Sequence, residues 1–307
     1  MRPQLLILPG LLLFLFFNLW PIVYSIYISF TNANIRNFPQ PPPWAPEELK
    51  HARPPPDFVG LANYASIFTG PASAGFWNAV FWTLVFVAVS VPAKVALGTF
   101  VGLLMSSEKV LGKSVMKALL IVPWALPLIL SVVAWRYVFD PTYGVVNQLL
   151  YSLGVSKPPD WFVNKDYAYA AMVVIEAWLA YPFIMTVVIG ALANVPRTAF
   201  EAAQIDGAGR WAVFTQITLP LIKRPLIYAS VMTAAASLQF FLVAFLWNFI
   251  QLYDRFMLAY GYYWAFGSPF REYGLAAAVL SISALVISAF MILAIRLTGL
   301  MRGMYES

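Results

Sequence analysis

The chain has 307 residues, 61% of them hydrophobic and 10% charged, with a mean hydropathy of +0.75; soluble domains carry about 25% charged residues, so a water-soluble fold is excluded and an integral membrane protein is indicated. The net charge is +6. No cysteine is present, which excludes disulfides, thiolate metal sites and a cysteine nucleophile, and the single histidine, His51, reads as a solvated loop residue.

Six apolar runs reach the roughly 20 helical residues that cross about 30 Å of hydrocarbon. They are Leu5 to Phe30, Trp77 to Met105, Ala118 to Phe139, Tyr167 to Val195, Leu226 to Tyr253 and Tyr273 to Thr298. These predict an all-α membrane protein with six transmembrane helices in a single domain, 1–307. The first run follows Met1-Arg2 as a secretory signal does, but its apolar core is too long and no small-x-small site follows, so it reads as an uncleaved helix. An outer loop, 31–76, comes next. Eight prolines between Pro39 and Pro56 favour extended polyproline backbone, which lipid does not accommodate, and mark an external linker or docking arm. Beyond them Leu61, Tyr64, Ala65 and Phe68 share one helical face. Two readings of that face stand, an interfacial helix or an ordered lead-in to the second span. Pro9, Pro21, Pro92, Pro123, Pro127 and Pro182 lie within spans, each removing a backbone donor, and predict kinked helices around a cavity. The loop from Asp140 to Asp166 has the size of a structured connector, not of a domain.

Charge sets the orientation. With the N-terminus inside, the inner segments hold Arg2, Lys109, Lys113, Lys117, Arg197, Arg210, Lys223, Arg224, Arg296 and Arg302 against Glu108, Glu201, Asp206 and Glu306. Outer segments balance at eight basic and eight acidic residues, and Lys94 and Glu176 cancel within the spans, so the whole +6 lies inside. The positive-inside rule then puts both termini and the polar loop 194–225 in the cytoplasm. Since the basic balance reports topology, membrane lipid is a partner and nucleic acid is not.

That cytoplasmic loop carries EAAQIDGAGRWAVFTQITLPLIKRP, Glu201 to Pro225. Pro196 suits the first turn of a helix. Phe200, Ala203 and Gln204 share a side, Gly207 suits a left-handed turn, and Asp206 suits a cap for the next segment. Trp211, Phe214 and Ile217 then share a face until Pro220, which is expected to close the second helix. Two short helices and a glycine turn make a knob whose apolar side chains need a covering protein. The competing reading, a helix resting on headgroups, sets Glu201 and Asp206 against an anionic leaflet and is the weaker one.

The pattern of EAA, three residues, glycine, then I-x-LP resembles the EAA loop of ABC importer permeases, on Glu201, Ala202, Ala203, Gly207, Ile217, Leu219 and Pro220. LPGLLLFLFFNLWPIVYSIYISFT, FVGLANY, LLIVPWALPLILSVVAWRYVF, EAWLAYPFIMTVVIGALANVP and EYGLAAAV extend the resemblance over nearly the whole chain, toward sugar permeases of the maltose type. The resemblance implies an ABC type I importer permease bundle, MetI-like, in the cytoplasmic membrane of a prokaryote. It also implies a second homologous permease, two cytosolic ATPase subunits carrying ATP and Mg, and an external solute-binding protein. The loop would then be a coupling helix, with Glu201 the polar contact and Asp206-Gly207 the turn. Two departures stand out. WNFIQLYDRFMLAYG occupies the place of a glycine-rich T-x-GGP element, and the enterobacterial maltose permease's extra helices and large external domain have no counterpart here.

A nucleotide site in this chain fails on its own terms. SEKVLGKS ends in Gly112-Lys113-Ser114, but a phosphate loop needs glycine at Ser107 and a preceding strand. No cofactor, metal or catalytic residue is expected, and ATP hydrolysis falls to another subunit. For a sugar, aromatic faces and hydroxyl or carboxylate partners are needed near mid-membrane. By the resemblance, Trp124, Glu176, Thr233 and Ser237 line that site, with malto-oligosaccharide, maltose or trehalose the implied cargo. For Glu176 two readings stand, since a carboxylate inside a membrane is costly unless paired and Lys94 is an available partner. The alternatives to a maltose-type permease are one for another sugar or for glycerol phosphate, which needs cationic side chains, and an ion-coupled secondary transporter, which predicts ionisable networks and internal repeats.

Overall fold

A computed structural model of the chain describes residues 7–38, 54–107 and 110–298. Expectations for Arg2, His51, Glu108, Lys109, Arg302, Glu306 and most of the proline-rich stretch concern residues outside that set. In order, the described chain forms α1 (Leu8–Phe14), α2 (Trp20–Ser29), α3 (Ala62–Thr69), α4 (Ser73–Ser106), α5 (Lys113–Ala125), α6 (Leu128–Val138) and α7 (Val145–Ser152). It continues with α8 (Lys165–Ala193), α9 (Arg197–Ile205), α10 (Arg210–Val213), α11 (Leu219–Leu238), α12 (Leu242–Leu252), α13 (Met257–Tyr262) and α14 (Tyr273–Thr298).

Leu8–Ser29, α4, α8 and α14 are each long and apolar enough to cross a membrane, and the pairs α5 with α6 and Arg210–Leu238 with α12 supply two more crossings if each bent pair is one span. The fold class is the expected one, with two of the six expected spans formed as bent pairs. The α5–α6 bend is 96°. It falls at Leu126, whose ψ of 142° is the extended backbone that a following proline imposes. Pro92, Pro123 and Pro182, in contrast, stay inside α4, α5 and α8.

Three π-helical turns, Leu15–Leu19, Phe214–Thr218 and Tyr263–Gly267, each end two residues before a proline, at Pro21, Pro220 and Pro269. Proline lacks an N–H and clashes with the carbonyl four residues back. Widening the preceding turn, so that Leu219 N–H reaches Phe214 O, moves that carbonyl aside. This corrects the expectation for Pro220. It stands in the first turn of α11 and does not close a short helix; the helical run goes unbroken from Arg210 to Leu238.

The chain divides into two compact units. One holds the described residues up to Phe81 with Tyr253–Val286. There Asn63 Nδ2 donates to Ser29 O and Thr31 O, both at 2.8 Å, tying α3 to the end of α2 beside the Thr31–Phe58 bridge. Ile67 is the buried residue of α3, while Leu61, Ala65 and Phe68 of the expected face are exposed. The other unit holds Trp82–Leu252 and the described residues from Ile287 on. Its centre is the antiparallel pairing of α8 with α11 through Ile184, Val188, Ile222 and Ala229. Helix α4 lies against α8 at Gly98 and Gly102, where an added Cβ would meet Ile184 Cβ at 2.5 Å and Val188 Cβ at 2.8 Å. This Gly-x-x-x-Gly pair permits the close backbone approach that membrane helices use in place of hydrophobic collapse.

Candidate functional site

Two constellations lie in the second unit. The first is the loop between α8 and α11. Helix α9 begins directly after Pro196, as its sequence predicts, and ends in a left-handed turn at Gly207, φ 71°. Ala208 N–H donates to Ala203 O at 2.9 Å, the six-to-one bond of a glycine C-cap, so the turn satisfies a carbonyl that the helix end would orphan. Asp206 does not cap the next helix. Helix α10 takes Gly209 as its N-cap without a side-chain bond, because the glycine turn has already closed α9 one residue beyond Asp206.

Glu201, Ala202, Asp206 and Pro220 are exposed, Ile205 is 86% and Trp211 75% exposed, and Ala203 is buried behind them. Ile217 is half-buried and Leu219 exposed at the start of the fifth span. Of the expected apolar faces, Trp211 and Phe214 do meet, with ring centroids 5.7 Å apart, and Phe200 is half-buried; the side chain of Gln204 lies outside the described set. The loop therefore presents carboxylates and large apolar groups outward, on one helix, α9, set off from α8 by the turn at 194–196 and another, α10, that continues into α11. Segment 107–114 follows helix α4 and no strand, which removes the context a phosphate loop requires.

The second constellation is buried. Lys94 of α4, fully buried, donates from Nζ to Glu176 Oε1 of α8 at 2.7 Å, to Ser237 Oγ of α11 at 2.5 Å, and to the Thr233 carbonyl at 3.4 Å. The Ser237 hydroxyl has two acceptors within reach, Glu176 Oε1 at 2.6 Å and Thr233 O at 2.9 Å, and can serve one at a time. Of the four residues assigned to a sugar site, the fold thus brings Glu176, Thr233 and Ser237 together, around Lys94. Trp124 stands apart, 62% exposed near the α5–α6 break, its ring 6.4 Å from that of Phe183.

Sequence reasoning missed Arg136, the last-turn residue of α6. It donates to Leu246 O and Trp247 O at 2.9 and 2.8 Å, where Asn248 leaves helical geometry with φ −159° and ψ 91°. Trp247 Nε1 and Asn248 Nδ2 in turn donate to the Trp161 and Phe162 carbonyls, both at 2.9 Å. A break in α12 thus stands where the glycine-rich element is missing, held by the Arg136 side chain of α6 and by its own Trp247 and Asn248 side chains donating to the backbone at 161–162. The signal was available as a lone cation at the end of an apolar span.

Comparison with known proteins gives a consistent result. Residues 94–300 match the family described as binding-protein-dependent transport system inner membrane component. The chain is 32% identical to the trehalose/maltose transport system permease protein MalF of Thermococcus litoralis, over 77% of this chain and 73% of that one. It is 31% identical to the maltose/maltodextrin transport system permease protein MalF of Escherichia coli K12 over 78% of its length, but spans only 49% of that relative. In fold it is similar to a chain of a bacterial ABC transporter involved in the import of the acidic polysaccharide alginate, with a TM-score of 0.72, 20% identity, and coverage of 96% and 94% of the two chains.

Proposed function

Because the chain belongs to the binding-protein-dependent transport system inner membrane component family, we propose that it is the permease of an ATP-driven sugar importer, a single domain spanning 1–307. Maltose, malto-oligosaccharide or trehalose is the cargo, a reading supported by relatives that are trehalose/maltose and maltose/maltodextrin permeases. Burial of Lys94 against Glu176 adds to it, since a phosphate cargo calls for an unspent cation in the pathway and Lys94 already faces a carboxylate. Two cytosolic ATPase subunits holding ATP and Mg, a second homologous permease and an external solute-binding protein complete the assembly. This chain performs no covalent chemistry and binds no cofactor, and both its termini face the cytoplasm.

The observation that carries this reading is the exposed α9–Gly207–α10 loop running without a break into the fifth span. Glu201, Ala202, Asp206 and Gly207 form the surface the ATPase grips, Ala203 supports it from behind, and Ile217, Leu219 and Pro220 pass its motion into α11. Trp124, exposed beside a helix break, is the aromatic that meets sugar; Glu176, Thr233 and Ser237 line the path only when Lys94 has released them. Purification in mild detergent tests the assembly: ATPase subunits should co-purify, with hydrolysis stimulated by sugar-loaded binding protein. Uptake that persists without ATP overturns the reading.

A further inference from the structure

The Lys94 cluster joins three helices at a mechanically particular place. Helices α8 and α11 flank the exposed α9–α10 loop and pack along each other through Ile184, Val188, Ile222 and Ala229, so they form one stiff hairpin. Glu176 lies 17 residues from the loop end of α8, about 26 Å at 1.5 Å per residue, and Ser237 is the residue before Leu238, where α11 stops. Beyond it the span bends by 45° into α12. The polar contact therefore sits at the far end of the hairpin, against the bend. On its third side stands α4, which meets α8 on the loop side of Lys94 through glycine-to-aliphatic contacts at Gly98 and Gly102, and on the other side through the Tyr169 hydroxyl, which donates to Trp82 O at 2.6 Å.

The cluster is also incompletely satisfied. Glu176 Oε2 is buried with no hydrogen-bond partner while Oε1 takes both donors. Ser90, one turn before Lys94 on the same face of α4, is buried with its Oγ likewise unpartnered. Buried polar groups are ordinarily paired, so a carboxylate with one saturated and one idle oxygen suits an arrangement with a second configuration.

We propose that Lys94 is a positioning residue, a clasp that ties the second span to the far end of the coupling hairpin and must release and re-form for a loop displacement to move the bundle. The proposal rests on the permease reading above. In it Lys94 touches no sugar. It converts motion of the α9–α10 loop into relative motion of α4, α8 and α11.

The test uses the complete transporter, with all subunits, in proteoliposomes, measuring maltose uptake and ATP hydrolysis together. Lys94→Met should raise ATP consumed per maltose by about tenfold, with the KM for maltose moving less than about twofold, and Lys94→Arg should recover much of the ratio. Lys94→Met/Glu176→Gln strands no charge and is read as the ATP-to-maltose ratio at saturating maltose, where a lost cargo contact at Glu176 shows in KM and not in the ratio, so it decides the matter even if Lys94→Met fails to assemble. A clasp predicts that this double variant assembles and stays uncoupled. An ordinary structural ion pair predicts that it couples as the parent does, which overturns the proposal. A tenfold rise in KM for Lys94→Met with an unchanged ATP-to-maltose ratio also overturns it, by showing contact with cargo. Should the parent complex show no sugar-stimulated hydrolysis, the permease reading itself fails, a result distinct from either.

Discussion

Glu201 stands exposed on α9 beside the small Ala202, so a partner can reach its carboxylate without displacing a neighbour. Reversing its charge leaves the glycine turn and the packing behind Ala203 untouched. Glu201→Lys is accordingly expected to leave assembly intact while lowering sugar-stimulated ATP hydrolysis and uptake at least about tenfold, the scale of one or two charge-assisted contacts. Coupling that survives unchanged would show that the loop acts through shape alone. Glu272, just before α14, behaves in the opposite sense. Burial pushes its carboxyl above the usual carboxylate range. A raised folded-state value means the folded chain holds the proton more tightly than the unfolded one, so the favourable contribution is full below the ordinary carboxylate range and is lost as pH rises through the raised value. Glu272→Gln should therefore raise the melting temperature in detergent at pH 7.5 and change it little at pH 4; a drop at pH 7.5 would contradict the burial argument.

At the scale of elements, broken helices are held at specific points. Arg136 supplies charge-assisted donors to the Leu246 and Trp247 carbonyls that the turn at Asn248 strands. Losing them leaves two acceptors unpaired where backbone groups are costly to expose, so Arg136→Met is expected to destabilise the α12 break by about 2 kcal/mol, read as increased amide exchange across 242–252. The close approach of α4 and α8 makes the complementary prediction. Gly98→Leu places carbon within contact of Ile184 Cβ and the Tyr181 carbonyl, and overpacking of this kind costs about 1–3 kcal/mol or more, seen as lost assembly. These elements also show how far sequence reached. The spans and the polar loop between the fourth and fifth were legible because composition changes abruptly at their ends, and Lys94 and Glu176 stood out as the charges inside the spans. Ser237 as third partner was not, because its place beside Lys94 follows from how α11 packs along α8 at Ile222 and Ala229 and from the end of α11 at Leu238. Pro220 misled for a local reason: whether a proline stops a helix depends on the turn before it, and the π turn at Phe214–Thr218 absorbs the clash.

Across the whole chain, function turns on which side of the membrane each loop faces. The excess of basic residues on the segments taken as inner accounts for the entire +6, and only that orientation lets the α9–α10 loop meet a cytosolic ATPase while the 140–165 connector faces outward. An ion-coupled carrier places no such demand on the loop. Because the chain contains no cysteine, single introduced thiols report side directly. Tyr143, 85% exposed in the connector, and Leu111, 90% exposed between α4 and α5, are far from the buried cluster in sequence and make suitable positions. In right-side-out spheroplasts a membrane-impermeant maleimide should label Tyr143→Cys at once, and Leu111→Cys only after permeabilisation. The reverse pattern would put the EAA loop outside, beyond the reach of ATP, and no arrangement of partners could then rescue an ATP-driven role for it.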